Sequence, residues 1–172
     1  MSNQVDIRGE LPLYLARLWR YGLVLSRKRD VAEDLVQATC LRALEKSSQY
    51  VPGTRLDRWL FAILHSVWVN QVRAMHLTQQ QNIDDLDRQA FQVSDSDADH
   101  LWAQQVRERI NGLPEAQRNT VFLVYVEGFT YQEAAETLAV PIGTIMSRLA
   151  NARQVLAKAV VADNRRRKRG EL

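Results

Sequence analysis

Thr130-Tyr131-Gln132-Glu133-Ala134-Ala135-Glu136-Thr137-Leu138-Ala139-Val140-Pro141-Ile142-Gly143-Thr144-Ile145-Met146-Ser147-Arg148-Leu149 is the stretch whose reading decides the fold. Thr130 followed three residues later by Glu133 is a capping box: the threonine hydroxyl accepts from the backbone at Glu133, and the glutamate reaches back. The short helix it starts carries Ala134, Ala135 and Leu138, small enough on one side for a second helix to approach closely. Val140-Pro141-Ile142-Gly143 reads as a tight turn. A longer helix is expected from Thr144 to Val160, with Ile145, Leu149, Val155 and Leu156 for the core and Ser147, Arg148, Asn151 and Arg153 for other faces. The pattern is a helix-turn-helix, whose second helix can enter a DNA major groove with its N-terminal side chains at base edges. Arg donates to guanine, Asn pairs with adenine, and Ser or Thr contacts base or phosphate. The alternative is a helical hairpin used for protein contact.

Upstream of this motif, Leu101 to Asn111 reads as a helix through Leu101, Val106 and Ile110. Gly112 and Pro114 break it, with Pro114 suited to the first turn of the next helix. Val121, Leu123, Val124 and Val126 are expected to bury that helix, and Gly128 to supply its left-handed end. Further back, residues 76–100 hold one Lys or Arg against six Asp or Glu, a net −5. With Gln79-Gln80-Gln81-Asn82, Asp84, Asp85, Asp87 and Ser94-Asp95-Ser96-Asp97, this stretch has linker composition.

The N-terminal part is also helical in pattern. Leu11, Tyr14, Leu15, Leu18, Tyr21 and Leu25 share a stripe. Asp30 with Glu33 is a second capping-box-like start, for a helix from Val31 to Ser47 with Val31, Leu35, Ala38 and Leu41 on its core face. Pro52-Gly53 breaks the chain again. A third helix from Leu56 to Met75 has Leu60, Ile63, Leu64 and Val67 as its core stripe. It adds Trp59, Phe61 and Trp68 to Arg55, Arg58, His65 and Arg73, a mixture that suits single-stranded nucleic acid, since cations track the backbone and ring faces receive unstacked bases. The two tryptophans fit a three-helix core equally well.

The chain has 172 residues, a hydrophobic fraction of 46% and a charged fraction of 25%, which excludes a wholly disordered chain, a collagen and a membrane channel. Its net +3 divides unevenly: residues 1–75 and 101–172 each carry eleven basic and seven acidic side chains, so two basic lobes flank the acidic strip. Basic lobes suit a polyanion, because Lys and Arg on phosphates release counterions; ordinary solvated surfaces would look the same. The run Arg165-Arg166-Arg167-Lys168-Arg169 is expected to be a frayed end. The polar start, Met1 to Asp6, lacks the basic and apolar parts of a secretory signal, so a cytoplasmic location is expected.

No enzyme is expected: there is no Gly-rich phosphate loop, nucleophile elbow or HExxH. His65, His76 and His100 lack metal-ligand spacing, and Cys40 is alone, so neither metal nor cofactor is expected.

Three segments in this order resemble the extracytoplasmic-function (ECF, group IV) branch of the bacterial sigma-70 family. Ala32-Glu33-Asp34-Leu35-Val36-Gln37-Ala38-Thr39-Cys40-Leu41-Arg42-Ala43-Leu44 is similar to the family's DLVQ-type helix, with Ala38 and Cys40 in place of the commoner Glu and Phe. Trp59-Leu60-Phe61-Ala62-Ile63 through Arg73 is similar to the promoter-melting helix, with Ser66 where Asn is common and Asn70 where Asp is common. Leu113-Pro114 through Leu156 is similar to the −35 module, with Met146 and Asn151 at positions often basic.

The resemblance implies an all-α fold of two small domains joined by a flexible linker: a sigma2-like helical bundle over 1–75, the acidic linker 76–100, a sigma4-like helix-turn-helix domain over 101–162, and a basic tail, 163–172. It implies binding to the RNA polymerase core, its β′ coiled coil through Asp34, Leu35, Gln37, Thr39 and Arg42, and its β flap through the second domain. It implies −10 melting through Arg55, Arg58, Trp59, Phe61, His65, Ser66, Asn70 and Arg73. It implies −35 recognition in promoter DNA through Thr130, Thr144, Met146, Ser147, Arg148, Asn151 and Arg153. It further implies control by an anti-sigma factor, in many relatives membrane-anchored, the chain itself not being a membrane protein. The rival reading is a stand-alone helix-turn-helix regulator that binds duplex DNA without polymerase.

Overall fold

The computed structural model describes residues 6–79 and 107–168, and every regular element among them is helical. The chain divides into two units, Met1–Phe91 and Gln92–Leu172. The expected linker residues 80–100, and Leu101 and Val106 of the expected helix, lie outside the described residues.

In the first unit a short helix α1 (Ile7–Glu10) and a tight helical turn at Leu11–Leu13 lead into α2 (Leu15–Ser26), α3 (Arg29–Glu45) and α4 (Leu56–Gln79). Helices α2, α3 and α4 pack on one another, and α1 lies on α3. Leu18, Tyr21, Leu35, Leu60, Phe61 and Leu64 are completely enclosed between them. Leu11, Leu18, Tyr21 and Leu25 are buried as their spacing predicts, but Leu15 is exposed.

Three local expectations are corrected. Helix α3 starts at Arg29, with extended Lys28 at its cap and no side-chain cap bond. Asp30 therefore sits in the first turn, where its charge suits the helix dipole. The buried face of α3 is Ala32, Leu35, Thr39 and Ala43, not Val31, Leu35, Ala38 and Leu41; Leu41 is 63% exposed. At Ala32 the cause is close approach: a Cβ on Gly22 of α2 would stand 3.2 Å from the Ala32 Cα, so α3 presents a small residue at that point. Helix α4 continues to Gln79, past the expected domain boundary at 75.

The second unit opens with helical residues 107–111 (α5), then α6 (Glu115–Val121), α7 (Tyr131–Leu138) and α8 (Ile142–Lys168). Both α6 and α7 pack on α8. Leu113, Val121, Leu123, Phe129, Ala134, Leu138, Ile145 and Leu149 form the core. Pro114 precedes α6 as its cap rather than entering the first turn.

Helix α6 does not end in an ordinary turn. Phe122–Val126 widens into a π turn, closed by the Glu127 amide donating to the Phe122 carbonyl at 3.0 Å. The extra residue per turn rotates Tyr125 and Val126 into solvent, which corrects the expected burial of Val126. Gly128, at φ +69°, then redirects the chain as expected. At the other end, α8 runs through Lys168, so 163–168 is helix rather than a frayed tail.

Candidate polymerase and nucleic-acid interfaces

The helix-turn-helix forms as its sequence dictates. The Glu133 amide donates to Thr130 Oγ1 at 3.1 Å and the Thr130 amide to Glu133 Oε2 at 2.8 Å, completing the capping box. The Thr130 hydroxyl is thus engaged by the cap, while the residue itself stays exposed. Helix α7 ends on Ala139, which adopts the left-handed conformation at φ +52°. Helix α8 begins at Ile142, earlier than Thr144, because Thr144 and Ile145 already donate to the Pro141 carbonyl.

At about 100° per residue, α8 turns Ile145, Leu149 and Ala152 inward. Thr144, Ser147 and Asn151 fall on the opposite stripe, where exposed Gln154 and Lys158 continue the row. Sequence reasoning missed those last two, although their spacing from Ser147 and Asn151 carried the signal. Arg148 lies on one flank of the stripe, while Met146 and Arg153 share the other. Arg153 is held there by two phenols: it donates from Nε to the Tyr125 hydroxyl at 3.0 Å and from Nη2 to the Tyr131 hydroxyl at 3.2 Å. The −35 set therefore divides into a central stripe, one flanking cation and one pinned cation.

On α4, Trp59, Ser66, Asn70 and Arg73 line a stripe opposite Leu60 and Leu64. Ser66, Asn70 and Arg73 are exposed, and Trp59 is half-buried with its ring 5.3 Å from that of Tyr50. Phe61 is corrected: it is completely buried, stacked on Tyr21 at 5.2 Å, and offers no face to a base. Trp68 is likewise a core residue. His65 faces α2 instead of the stripe, its Nδ1 sharing a hydrogen bond with the Tyr21 hydroxyl at 3.3 Å.

The start of α4 holds a group that no local pattern in the chain singles out. Asp57, buried in the first turn, accepts from Arg55 Nη2 at 3.0 Å and Nε at 3.3 Å, from Arg17 Nη2 at 3.3 Å, and from the Arg58 amide at 2.9 Å. The Arg17 guanidinium lies 5.5 Å from the centre of the Phe61 ring and 5.9 Å from that of Tyr14. Burial alone would push the Asp57 carboxyl up. The Arg55 hydrogen bond and the charges of Arg58 and Arg55, with the Arg58 amide, outweigh it and hold the group below its ordinary value.

On α3, Asp34 and Gln37 are exposed with Leu41 beside them, opposite the core face, and Arg42 is at the flank, half-buried. Leu35 and Thr39 are corrected: both are completely enclosed, the Thr39 hydroxyl donating to the Leu35 carbonyl at 2.7 Å, so they hold the helix and cannot meet a partner. Cys40 is half-buried, and burial pushes its thiol up, away from the reactive thiolate. No helix among the described residues is long and apolar enough to cross a membrane.

Comparison with known proteins agrees with this division. Residues 8–77 match the Sigma-70 region 2 family and residues 103–156 match Sigma-70, region 4. The ECF RNA polymerase sigma factor EcfG of Rhodopseudomonas palustris is 31% identical over 161 residues, covering 92% of this chain and 87% of that protein. The sigma factor RpoE of Bartonella quintana, solved in complex with the anti-sigma factor NepR, is similar with a TM-score of 0.73 and 33% identity over 92% of this chain and 98% of that one. CnrH, solved in complex with the cytosolic domain of CnrY, shares the fold with a TM-score of 0.63 at 20% identity, over 94% of this chain and 92% of that one. Two helical units in this order, each matching its own sigma-70 region, and a relative alike over nearly its whole length place the chain among the ECF RNA polymerase sigma factors of the sigma-70 family.

Proposed function

We propose that the chain works as a dissociable initiation subunit whose exposed helical stripes divide the labour. As an ECF sigma factor it directs promoter-specific transcription, and it acts in the cytoplasm, where polymerase and promoter meet. The exposed edge of α3, with Asp34, Gln37, Leu41 and Arg42, docks on the β′ coiled coil of core RNA polymerase. Leu41 supplies the apolar centre that the buried Leu35 cannot. The α4 stripe of Trp59, Ser66, Asn70 and Arg73, with Arg55 and Arg58 at its start, holds the melted −10 strand, where captured bases offset unpairing. Thr144, Ser147 and Asn151 of α8 read the −35 duplex, flanked by Arg148, Met146 and Arg153. The second unit also meets the β flap. Two weak DNA readers on one chain gain affinity through effective concentration. An anti-sigma factor covers the same surfaces when the chain is idle; the complex of the 33% identical RpoE with NepR supports this. The residues named here act by binding.

The observation that carries the reading is the capped helix-turn-helix whose second helix turns an uninterrupted polar row, Thr144, Ser147 and Asn151, away from Ile145 and Leu149. The test is transcription in vitro with purified core polymerase on a promoter library. Transcripts that start at defined positions only when the chain is added support it. Duplex binding indifferent to core, with no defined starts, would instead identify a stand-alone regulator.

A further inference from the structure

Three arginines converge on one carboxylate at the start of α4, and they are not equivalent. The side chain of Arg58 is 13% exposed, that of Arg17 is 28% exposed, and that of Arg55 is 60% exposed, around an Asp57 side chain that is 7% exposed. Arg17 lies within cation–π distance of both the Tyr14 and Phe61 rings, and Arg58 is nearly enclosed. Of the three guanidinium groups around Asp57, that of Arg55 is the one that reaches furthest into solvent. That side chain stands outside the helix, on the turn after Gly53, and would ordinarily sample many rotamers. Here its Nε and Nη2 are both engaged by the two oxygens of Asp57, the fork geometry that fixes a guanidinium in one plane.

We infer that Asp57 is a positioning residue: it holds the Arg55 guanidinium at the mouth of the α4 stripe so that Arg55 clamps one backbone phosphate of the captured strand. The inference rests on the proposed function and extends it to a contact that positions the strand without reading its sequence. It carries an unusual sign. Removing a negative charge from a surface that meets DNA tightens binding if only net charge counts. Removing Asp57 weakens binding if its task is to orient Arg55, because a mobile cation must be ordered again each time a phosphate arrives.

The test uses holoenzyme assembled from the full chain and purified core. The probe is a promoter fragment recovered from the library screen, with its nontemplate strand left unpaired across the −10 region. Affinity is measured by anisotropy from low to high salt. Arg55→Ala is expected to lower affinity about five- to tenfold and to reduce the slope of log affinity against log salt by about 0.7, one single-strand phosphate contact. Asp57→Asn is expected to lower affinity severalfold, and the double variant to bind no worse than Arg55→Ala alone. Arg55→Lys, which keeps the charge and loses the fork, is expected to show most of the Arg55→Ala loss, and it serves if Asp57→Asn fails to fold. Tighter binding by Asp57→Asn, additive losses in the double variant, or wild-type affinity in Arg55→Lys would overturn the inference while leaving the functional reading intact. Failure of the wild-type holoenzyme to start transcripts or to bind the fragment would overturn both.

Discussion

The two helical units solve one problem, fixing the exposed stripe of a long helix, with interactions of opposite range. In the second unit the entry to α7, and through it the seat of α8, is set by residues three apart: Thr130 and Glu133 exchange two hydrogen bonds within one turn. In the first unit Asp57 at the start of α4 gathers its neighbours Arg55 and Arg58 and also Arg17, forty residues away, which it meets only after α2 and α4 have packed. A local device forms as the helix forms and is worth little by itself. A distant one is worth more, because it locks packing that already exists, and losing it leaves a charge buried.

The largest expected effect breaks the first unit at its closest contact. Gly22→Leu is expected to destabilise the protein by about 3 kcal/mol, since even a Cβ at this position would stand 3.2 Å from the backbone of Ala32 and α2 and α3 would have to separate. Urea unfolding followed by circular dichroism measures it. A Gly22→Leu protein as stable as the wild type would mean that the helices are free to part.

This contact also explains what could be read from the chain and what could not. The helix-turn-helix was legible almost to the residue, because capping box, alanine pair and turn all act within a few positions. The bundle was legible as helices, but the core face of α3 was displaced. Ranking positions by size favours Leu41 over Thr39 and Ala43, whereas the close approach at Gly22 selects a small residue at Ala32, and Thr39 is buried with its hydroxyl satisfied on its own helix. From the chain alone Phe61 resembles a DNA contact for the same reason: its aromatic weight is visible, but Tyr21, its stacking partner, lies on another helix. The Asp57 hub left no local trace, since a carboxylate flanked by two arginines looks like any solvated charge run. The π turn was equally hidden, since Phe122–Val126 is an apolar run that an ordinary helix would accept.

The second test sets the hub against the cap. Asp57→Ala is expected to cost about 2–3 kcal/mol, the range for hydrogen bonds to a buried charged group, and Thr130→Ala about 1 kcal/mol. Equal costs would erase the contrast drawn between the units. The two also differ in pH dependence. The folded state holds the Asp57 carboxyl below its unfolded value, so its contribution is fully present above the ordinary carboxylate range and is lost as pH falls through the folded value. Wild-type stability is therefore expected to fall, as pH drops below the ordinary carboxylate range, by a component that is missing in Asp57→Asn and unchanged in Thr130→Ala; urea midpoints at a series of pH values measure it.

The smallest effect is one of sign, and here the two units are alike. Helix α2 ends on Arg27 at φ +59° and α7 ends on Ala139 at φ +52°, so each closes on a residue with a side chain in the conformation that glycine adopts most readily. Strain from a Cβ in this region is about 1–2 kcal/mol, against about 0.5–1 kcal/mol of extra chain entropy that a glycine loses on folding. Ala139 brings only a methyl group, so Ala139→Gly is expected to stabilise the second unit by about 0.5 kcal/mol, seen as a higher urea midpoint at unchanged slope. Arg27 brings a long side chain with interactions of its own, which Arg27→Gly would forfeit, so its gain is expected to be smaller than that of Ala139→Gly or reversed. If Arg27→Gly gained more, the ends of the two helices would differ in strain as well as in range. If Ala139→Gly destabilised the protein, the left-handed end of α7 would be held at no steric cost, and its geometry would have to come from packing against α8 instead of from the turn.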